Sequence, residues 1–151
     1  MKTWAVATAG ILIVVVGAFV VVKKVSPVSW GMWGNYNTSS GLALKGYDPV
    51  AYLRDAKVTP GNDQFTFDWG DATLQFASAD NMALFRQDPE SCAPQFGGFC
   101  SFAVSKGFTA DISPDAWYVN DGKLYVFMDE NVQADWVAGI GDGTLEASAE
   151  N

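Results

Sequence analysis

The chain opens with a long apolar run and continues in shorter segments in which apolar and polar positions alternate. Residues 4–22 contain Thr8 as their one polar side chain, and lysines flank the run on both sides. A helix of this length spans roughly 28 Å at about 1.5 Å per residue, close to the thickness of a bilayer core. No small-residue cleavage site follows, so the pattern favours a transmembrane signal anchor over a cleaved signal peptide.

Beyond the run, two pairs of strands are predicted. Residues 64–69 place Phe65, Phe67 and Trp69 on one face, and Gly-Asp then leads into a second apolar stretch at Ala72–Phe76. Residues 117–120 and 123–128 flank an Asp-Gly pair, which is the strongest short-range hairpin signal in the chain. Both patterns predict β-hairpins.

Capping residues predict short helices around these strands. An aspartate followed by proline, or a serine before an apolar segment, is a typical N-cap. Such signals predict helices after Asp48, Ser78, Asp88 and Asp129, and a further short helix at Ser101–Ser105. Strand pairs interleaved with short helices are typical of an α+β domain. The predicted fold class is therefore α+β, with an N-terminal transmembrane helix followed by a small domain of two β-hairpins and short helices.

The same patterns predict the domain organisation. Lysines on the two sides of the run nearly balance, and we expect the folded part to lie outside the cytoplasm, in the periplasm. The partner of residues 4–22 would be the lipid bilayer. The predicted segments are a membrane anchor at 1–24, a juxtamembrane linker at 25–40, a folded domain at 41–140 and an acidic tail at 141–151.

Composition excludes several classes of function. The chain carries 9 basic and 17 acidic residues and a net charge of −8, so no basic patch is available to bind nucleic acid. It contains no histidine, which excludes histidine-based catalysis, histidine-ligated metals and histidine-ligated haem. Two cysteines are too few for a zinc site made of cysteine alone. These limits favour a binding or accessory module over an enzyme; the protein partner stays unknown.

Several motifs resemble those of YHS-domain proteins of bacteria. They are the segment GLALKGYDPVAY at 41–52, FASADN at 76–81, Asp88-Pro89-Glu90, APQFGGFC at 93–100 and DGKLY at 121–125. In the wider family, cysteines after the Asp-Pro-Val motif and at the later strand-to-helix corner suit soft ions such as Cu(I) or Zn(II). The matching positions here are Ala51, Ala77 and Asn81, so the resemblance implies that the usual chelating residues are lost.

The resemblance leaves Cys100 as the candidate ligand for copper or zinc, in the Gly-Gly-aromatic-Cys loop that the bacterial proteins share. Tyr47 and Asp48 are candidate neighbours in that metal or ligand site, although Asp48 also suits an N-cap. Two alternatives stay open. In the first, the chain is a thiol or disulfide module that uses Cys92 and Cys100, which would form a disulfide in an oxidising compartment or remain two unpaired thiols. The aromatic residues, 14% of the chain, would otherwise line a pocket for a small apolar ligand or a protein.

Overall fold

The computed structural model describes residues 18–19, 21–28 and 31–141. In this part of the chain the strands are β1 Ser26–Pro27, β2 Thr38–Ser39, β3 Leu42–Ala43, β4 Asn62–Trp69, β5 Ala72–Phe76, β6 Phe108–Thr109, β7 Ser113–Asn120 and β8 Lys123–Phe127. The α-helices are α1 Pro49–Asp55, α2 Ala79–Gln87, α3 Pro89–Cys92, α4 Ser101–Ser105 and α5 Glu130–Gly141, and short 3-10 helices lie at Leu44–Gly46 and Gln95–Gly98.

Both predicted hairpins are confirmed. β4 and β5 pair antiparallel, with Trp69 opposite Ala72. β7 and β8 pair in the same way. Between them Asp121 and Gly122 have φ of 48° and 72°. Two consecutive positive φ angles are what a tight hairpin turn requires, which explains why the Asp-Gly pair was informative.

The predicted helices are confirmed, and their caps explain where they begin. The Ser78 hydroxyl accepts a hydrogen bond from the backbone N–H of Asn81 at 3.2 Å, at the start of α2. The Asp129 carboxylate accepts one from Val132 at 2.9 Å, at the start of α5. Each cap satisfies a backbone donor that the first helical turn leaves unpaired. The α+β part of the predicted fold class is thus confirmed.

The prediction of a transmembrane helix as part of the fold is wrong for the residues that the structure describes. Across the described residues, no helix combines the length and apolar character that crossing a bilayer requires. Of residues 4–22, only 18, 19, 21 and 22 belong to the described chain, and the rest of that prediction lies outside it. The helical turn at 21–23 ends at Lys24, whose φ of 52° turns the backbone away from the helix.

Residues 25–40, predicted as a linker, contribute strands to the fold. β1 pairs antiparallel with β6, which is more than eighty positions later in the chain, through Ser26 opposite Thr109. β2 pairs with β3, which in turn runs parallel to β5, so the four-stranded sheet has the order β2-β3-β5-β4. Strands of two residues carry no periodicity, so the sequence could not predict them.

The core consists of two apolar clusters that share one helix. The first includes Tyr52, Cys100 and Trp136, and packs between β8 and α5. The second includes Val50 and Phe85, and packs between α2 and the β4–β5 hairpin. Because α1 contributes Val50 to one cluster and Tyr52 to the other, this helix joins the two halves of the domain.

Candidate functional site

Asp48 lies at the centre of a buried hydrogen-bond network. Its side chain is fully buried. Oδ1 accepts from the backbone N–H groups of Val50 at 2.8 Å and Ala51 at 3.2 Å. Oδ2 accepts from the backbone N–H of Ala77 at 2.8 Å and from the Asn81 side-chain amide at 2.6 Å. The carboxylate therefore caps α1 and also ties it to the corner between β5 and α2.

This network joins the three positions at which the resemblance implied lost cysteines. Ala51, Ala77 and Asn81 all donate hydrogen bonds to the Asp48 carboxylate. The four donors leave its two oxygens little capacity to bind a metal ion, since a carboxylate offers about four lone-pair sites. In this chain Asp48 acts as a structural link between α1 and α2 and not as a free oxygen ligand.

The Cys100 thiol lies in the first core cluster, beside Leu124 and Trp136. Burial raises the pKa of the Cys100 thiol, and the backbone N–H groups of Ala103, Met128 and Phe102 only partly oppose that effect. A raised pKa keeps the sulfur protonated at neutral pH, whereas both metal binding and nucleophilic attack require the thiolate.

Two further predicted site residues, Tyr47 and Cys92, pack against different core clusters. Tyr47 is half-buried against the first cluster, and its backbone N–H donates to the carbonyl of Leu44 at 3.1 Å. Cys92 packs against the second cluster, and both cysteines are free thiols in the structure. A disulfide between them stays a prediction that would need the two clusters to be bridged.

The residues present do not fit the copper or zinc ion that the resemblance implied. Within residues 18–19, 21–28 and 31–141, no three cysteine or carboxylate side chains are grouped in a way that could hold a metal ion. Cys100 is a buried neutral thiol and the Asp48 oxygens are occupied by hydrogen bonds. A soft ion would have a single sulfur ligand at this position, and that sulfur is protonated.

A groove borders the Gly97-Gly98 loop, with Phe96 and Phe99 in its lining. Its volume is about 270 Å³. It is lined by β1, Val28, residues 31–35, Phe96, Phe99, Val104 and Thr109. We call it the β1 groove. Val28 and Met32 are 45% and 51% exposed beside it. Exposed apolar side chains next to a concavity are typical of a surface that a ligand or partner covers.

Hydrogen-bonding groups in the β1 groove are few. The hydroxyls of Ser26 and Thr109 bond to each other at 3.1 Å. The indole nitrogen of Trp33 is buried, and no acceptor among the described residues meets it. An unpaired buried N–H costs about 1–3 kcal/mol, so this donor is a feature that calls for a physical explanation.

A cluster of polar side chains contacts the Gly97-Gly98 loop through Asn37. Its members are Lys24, Asn37, Lys45 and Asp111, and we call it the Lys24 clasp. The Lys24 ammonium donates to the Asn37 side chain at 2.8 Å and to the carbonyl of Thr38. The Asn37 amide donates to Asp111 at 3.0 Å and to the carbonyl of Gly98 at 3.1 Å. The clasp thereby links the segment before β2 to the Gly97-Gly98 loop.

Charges within the clasp support each other. The Lys45 ammonium lies 3.0 Å from the Asp111 carboxylate. Burial raises the pKa of Asp111, but hydrogen bonds from Asn37 and Ile112 together with Lys45 outweigh it and hold that pKa below its ordinary value. Burial, with a contribution from Lys45, lowers the pKa of Lys24, and Asp111 opposes this. Asp111 therefore stays ionised at neutral pH, as the clasp requires.

Gly97 is essential to this arrangement. Its φ is 62°, and a Cβ at this position would collide with the backbone carbonyl of Asn35, which is part of the groove lining. The backbone N–H of Asn37 donates to the Gly97 carbonyl at 2.8 Å. Only glycine allows the two chain segments to approach this closely.

A second cleft lies between β7 and α5. It is wide and shallow, with a volume of about 710 Å³, and Asp115, Tyr118, Glu130 and Val137 are among the residues that line it. Its two carboxylates leave it acidic. Among the described residues, no unpaired buried donor lies in its lining, so it serves as a reference surface.

Sequence reasoning pointed to the loop that borders the β1 groove but not to the groove itself. The Gly97-Gly98 pair was recognised, whereas the role of residues 31–35 was not, because their packing depends on Asn37, Gly98 and Asp111. The glycines at 31 and 34 were the available signal of an irregular segment. Comparison with protein-family models, with curated proteins and with solved structures finds no match to this chain.

Proposed function

We propose that this chain is a binding module of the YHS type whose site is the β1 groove and whose ligand is a small, largely apolar molecule. The observation that carries the proposal is the groove itself: a concavity of about 270 Å³, with Val28 and Met32 exposed beside it. Small-molecule sites are usually concave and mostly apolar, with few polar groups.

The size of the groove limits the ligand. A volume of 270 Å³ corresponds to roughly nine water molecules at about 30 Å³ each. This lies just below the usual range of drug-sized sites, which begins near 300 Å³. A single-ring or two-ring molecule matches that size, whereas a lipid or a folded peptide does not.

The YHS assignment rests on the motifs at 41–52, 76–81 and 93–100 together with the spatial convergence of Ala51, Ala77 and Asn81 on Asp48. A family that chelates through these positions needs them close together in space. Here they are close, and a carboxylate with neutral donors occupies the position of the chelating cysteines. The proposal accordingly moves the binding function from that corner to the groove.

A pair of valine variants tests the groove as the binding site. Val104 lines the β1 groove and Val137 lines the second cleft, and both are half-buried. Ethylbenzene, added to the full chain, serves as the apolar probe and binding is followed by chemical shifts of backbone amides. We expect Val104→Phe to fill the groove and weaken binding at least tenfold, and Val137→Phe to leave it unchanged. Absence of binding to the native chain, or equal loss in both variants, would refute the proposal.

A further inference from the structure

The lining of the β1 groove excludes charged ligands. The described residues that line the groove carry no ionisable side chain, although the chain has 9 basic and 17 acidic residues. The nearby charges of Lys24 and Asp111 are engaged within the clasp, by hydrogen bonds to Asn37. A charge placed in an apolar concavity without a partner loses its hydration and gains nothing in exchange. The ligand is therefore expected to be neutral.

The lining also favours an aromatic ring over an aliphatic one. The rings of Trp33, Phe96 and Phe99 and the thioether of Met32 all line the groove. Phe96 also packs against Tyr125, with 6.2 Å between ring centroids, which fixes its orientation. Aromatic pairs in offset or edge-to-face contact, and sulfur beside a ring edge, add attraction beyond the buried area.

Trp33 provides a hydrogen-bond donor that could orient a ligand. The residue lines the groove, but its indole N–H is buried and has no acceptor among the described residues. An acceptor oxygen on a ligand reaches this N–H only when the indole turns toward the groove. The hydrogen bond then formed removes an unpaired buried donor, which offsets the cost of that movement.

We propose that the β1 groove takes a neutral aromatic molecule with one acceptor oxygen, such as a carbonyl, and that the Trp33 indole N–H donates to it. This inference rests on the proposed function, because it names the chemical class of the ligand for the same groove. Trp33 would then be the residue that determines specificity.

Four probes of similar size separate the elements of this inference. Acetophenone carries a ring and a carbonyl, ethylbenzene lacks the acceptor, cyclohexyl methyl ketone lacks the aromatic ring, and benzoate adds a charge. We expect acetophenone to bind the full chain about fivefold more tightly than ethylbenzene, as one net hydrogen bond allows. Benzoate should bind at least tenfold more weakly than acetophenone, and the aliphatic ketone should fall between the two.

The indole N–H resonances provide a direct readout, since the chain has six tryptophans. Acetophenone, and not ethylbenzene, should shift the Trp33 indole proton downfield. Trp33→Phe should abolish the fivefold preference for acetophenone over ethylbenzene, whatever the loss of the indole ring does to the affinity that the two probes share. Trp136→Phe is the matched control, because the Trp136 indole nitrogen is also buried without a described partner but is not part of the groove lining.

The outcomes separate failure of the groove as a binding site from failure of the proposed ligand class. If no probe binds, the proposed function fails and this inference fails with it. If ethylbenzene and acetophenone bind equally, or if the preference survives in Trp33→Phe, the groove remains a binding site and only the assignment of ligand class is refuted. The Trp33 proton shift is measured on the native chain, so the test holds even where a variant folds poorly.

Discussion

At the residue scale, Asp48 illustrates how one side chain combines a local and a long-range role. Its N-cap bonds to Val50 and Ala51 follow from the Asp-Pro motif and were expected. Its bonds to Ala77 and Asn81, about thirty positions later, were not. The buried carboxylate thereby joins the start of α1 to the corner between β5 and α2. Stability, and not chemistry, is the expected role of this residue.

Replacing Asp48 by Asn should reveal how much the bonds to Ala77 and Asn81 stabilise the fold. An amide keeps one acceptor oxygen for the cap but turns an NH₂ group toward the donors of Ala77 and Asn81, so we expect Asp48→Asn to lower the free energy of unfolding by about 2–3 kcal/mol. Asp88→Asn is the control, since Asp88 caps α3 through Ser91 at an exposed site. Asn is as good an N-cap as Asp, so that variant should lose less than about 0.5 kcal/mol. Equal losses in urea unfolding would contradict the link to Ala77 and Asn81.

At the element scale, the Gly97-Gly98 loop and the segment before β2 form one unit. Neither has a regular pattern of its own, and each is held by the other: the backbone N–H of Asn37 donates to Gly97, and the Asn37 side chain donates to Gly98. The β1 groove exists because these segments meet. Its shape should therefore respond to a change in the loop that leaves the core intact.

Two glycine variants separate the effect on stability of the close contact with Asn35 from the effect of a strained backbone. Gly97 and Gly107 both have positive φ, of 62° and 82°, but a Cβ at Gly107 meets nothing within 4 Å whereas one at Gly97 meets Asn35. Both alanine variants should pay about 1 kcal/mol for the left-handed backbone. We expect Gly97→Ala to lose roughly 2 kcal/mol more in urea unfolding and to weaken ethylbenzene binding about tenfold. If Gly107→Ala matched it in both measurements, the contact with Asn35 would not support the groove.

At the scale of the whole molecule, α1 joins the two core clusters and Asp48 at its start joins α1 to the β5–α2 corner. Since Val50 belongs to one cluster and Tyr52 to the other, the position of this helix is fixed from both sides. Burial raises the pKa of the Tyr52 phenol, with further contributions from Tyr47, Asp115 and Asp48, and its hydroxyl donates to the Pro114 carbonyl at 2.9 Å. Contacts to both clusters, together with the Asp48 hydrogen bonds, therefore hold α1 beside the β5–α2 corner.

Restoring cysteines at this corner tests the YHS proposal. The triple variant Ala51→Cys, Ala77→Cys and Asn81→Cys introduces cysteines at the three positions that contact Asp48. The Asp48 carboxylate loses the bond from the Asn81 amide and would serve as a fourth donor. We expect the variant to bind one Zn²⁺ or Cu⁺ ion stoichiometrically at micromolar concentration, in competition with a chromophoric chelator. The three double variants are the controls and should bind at least a hundredfold more weakly. A folded triple variant with no advantage over them would contradict the proposal.

The local elements of this fold were predictable from the sequence because local chemistry specifies them. Aspartate and serine caps, the Asp-Gly turn and the alternation in β4 and β5 each act within a few residues. The β1–β6 pair has no such signal: Ser26 bonds to Thr109 across 83 positions, and each strand has two residues. No transmembrane helix is found among the described residues. The long apolar run carries no local signal that Lys24 turns the backbone and bonds to Asn37.

By itself, the sequence determined the α+β character of the described domain, its hairpins and helices, and the exclusion of histidine chemistry, since these depend on residue type and short spacing. The tertiary structure alone decided what lies together: Ala51, Ala77 and Asn81 around one carboxylate, the Lys24 clasp, and the groove beside Gly97. The reason is physical. Contacts between distant segments form only when the whole core packs, and the sequence of one segment does not indicate which distant segment it will contact.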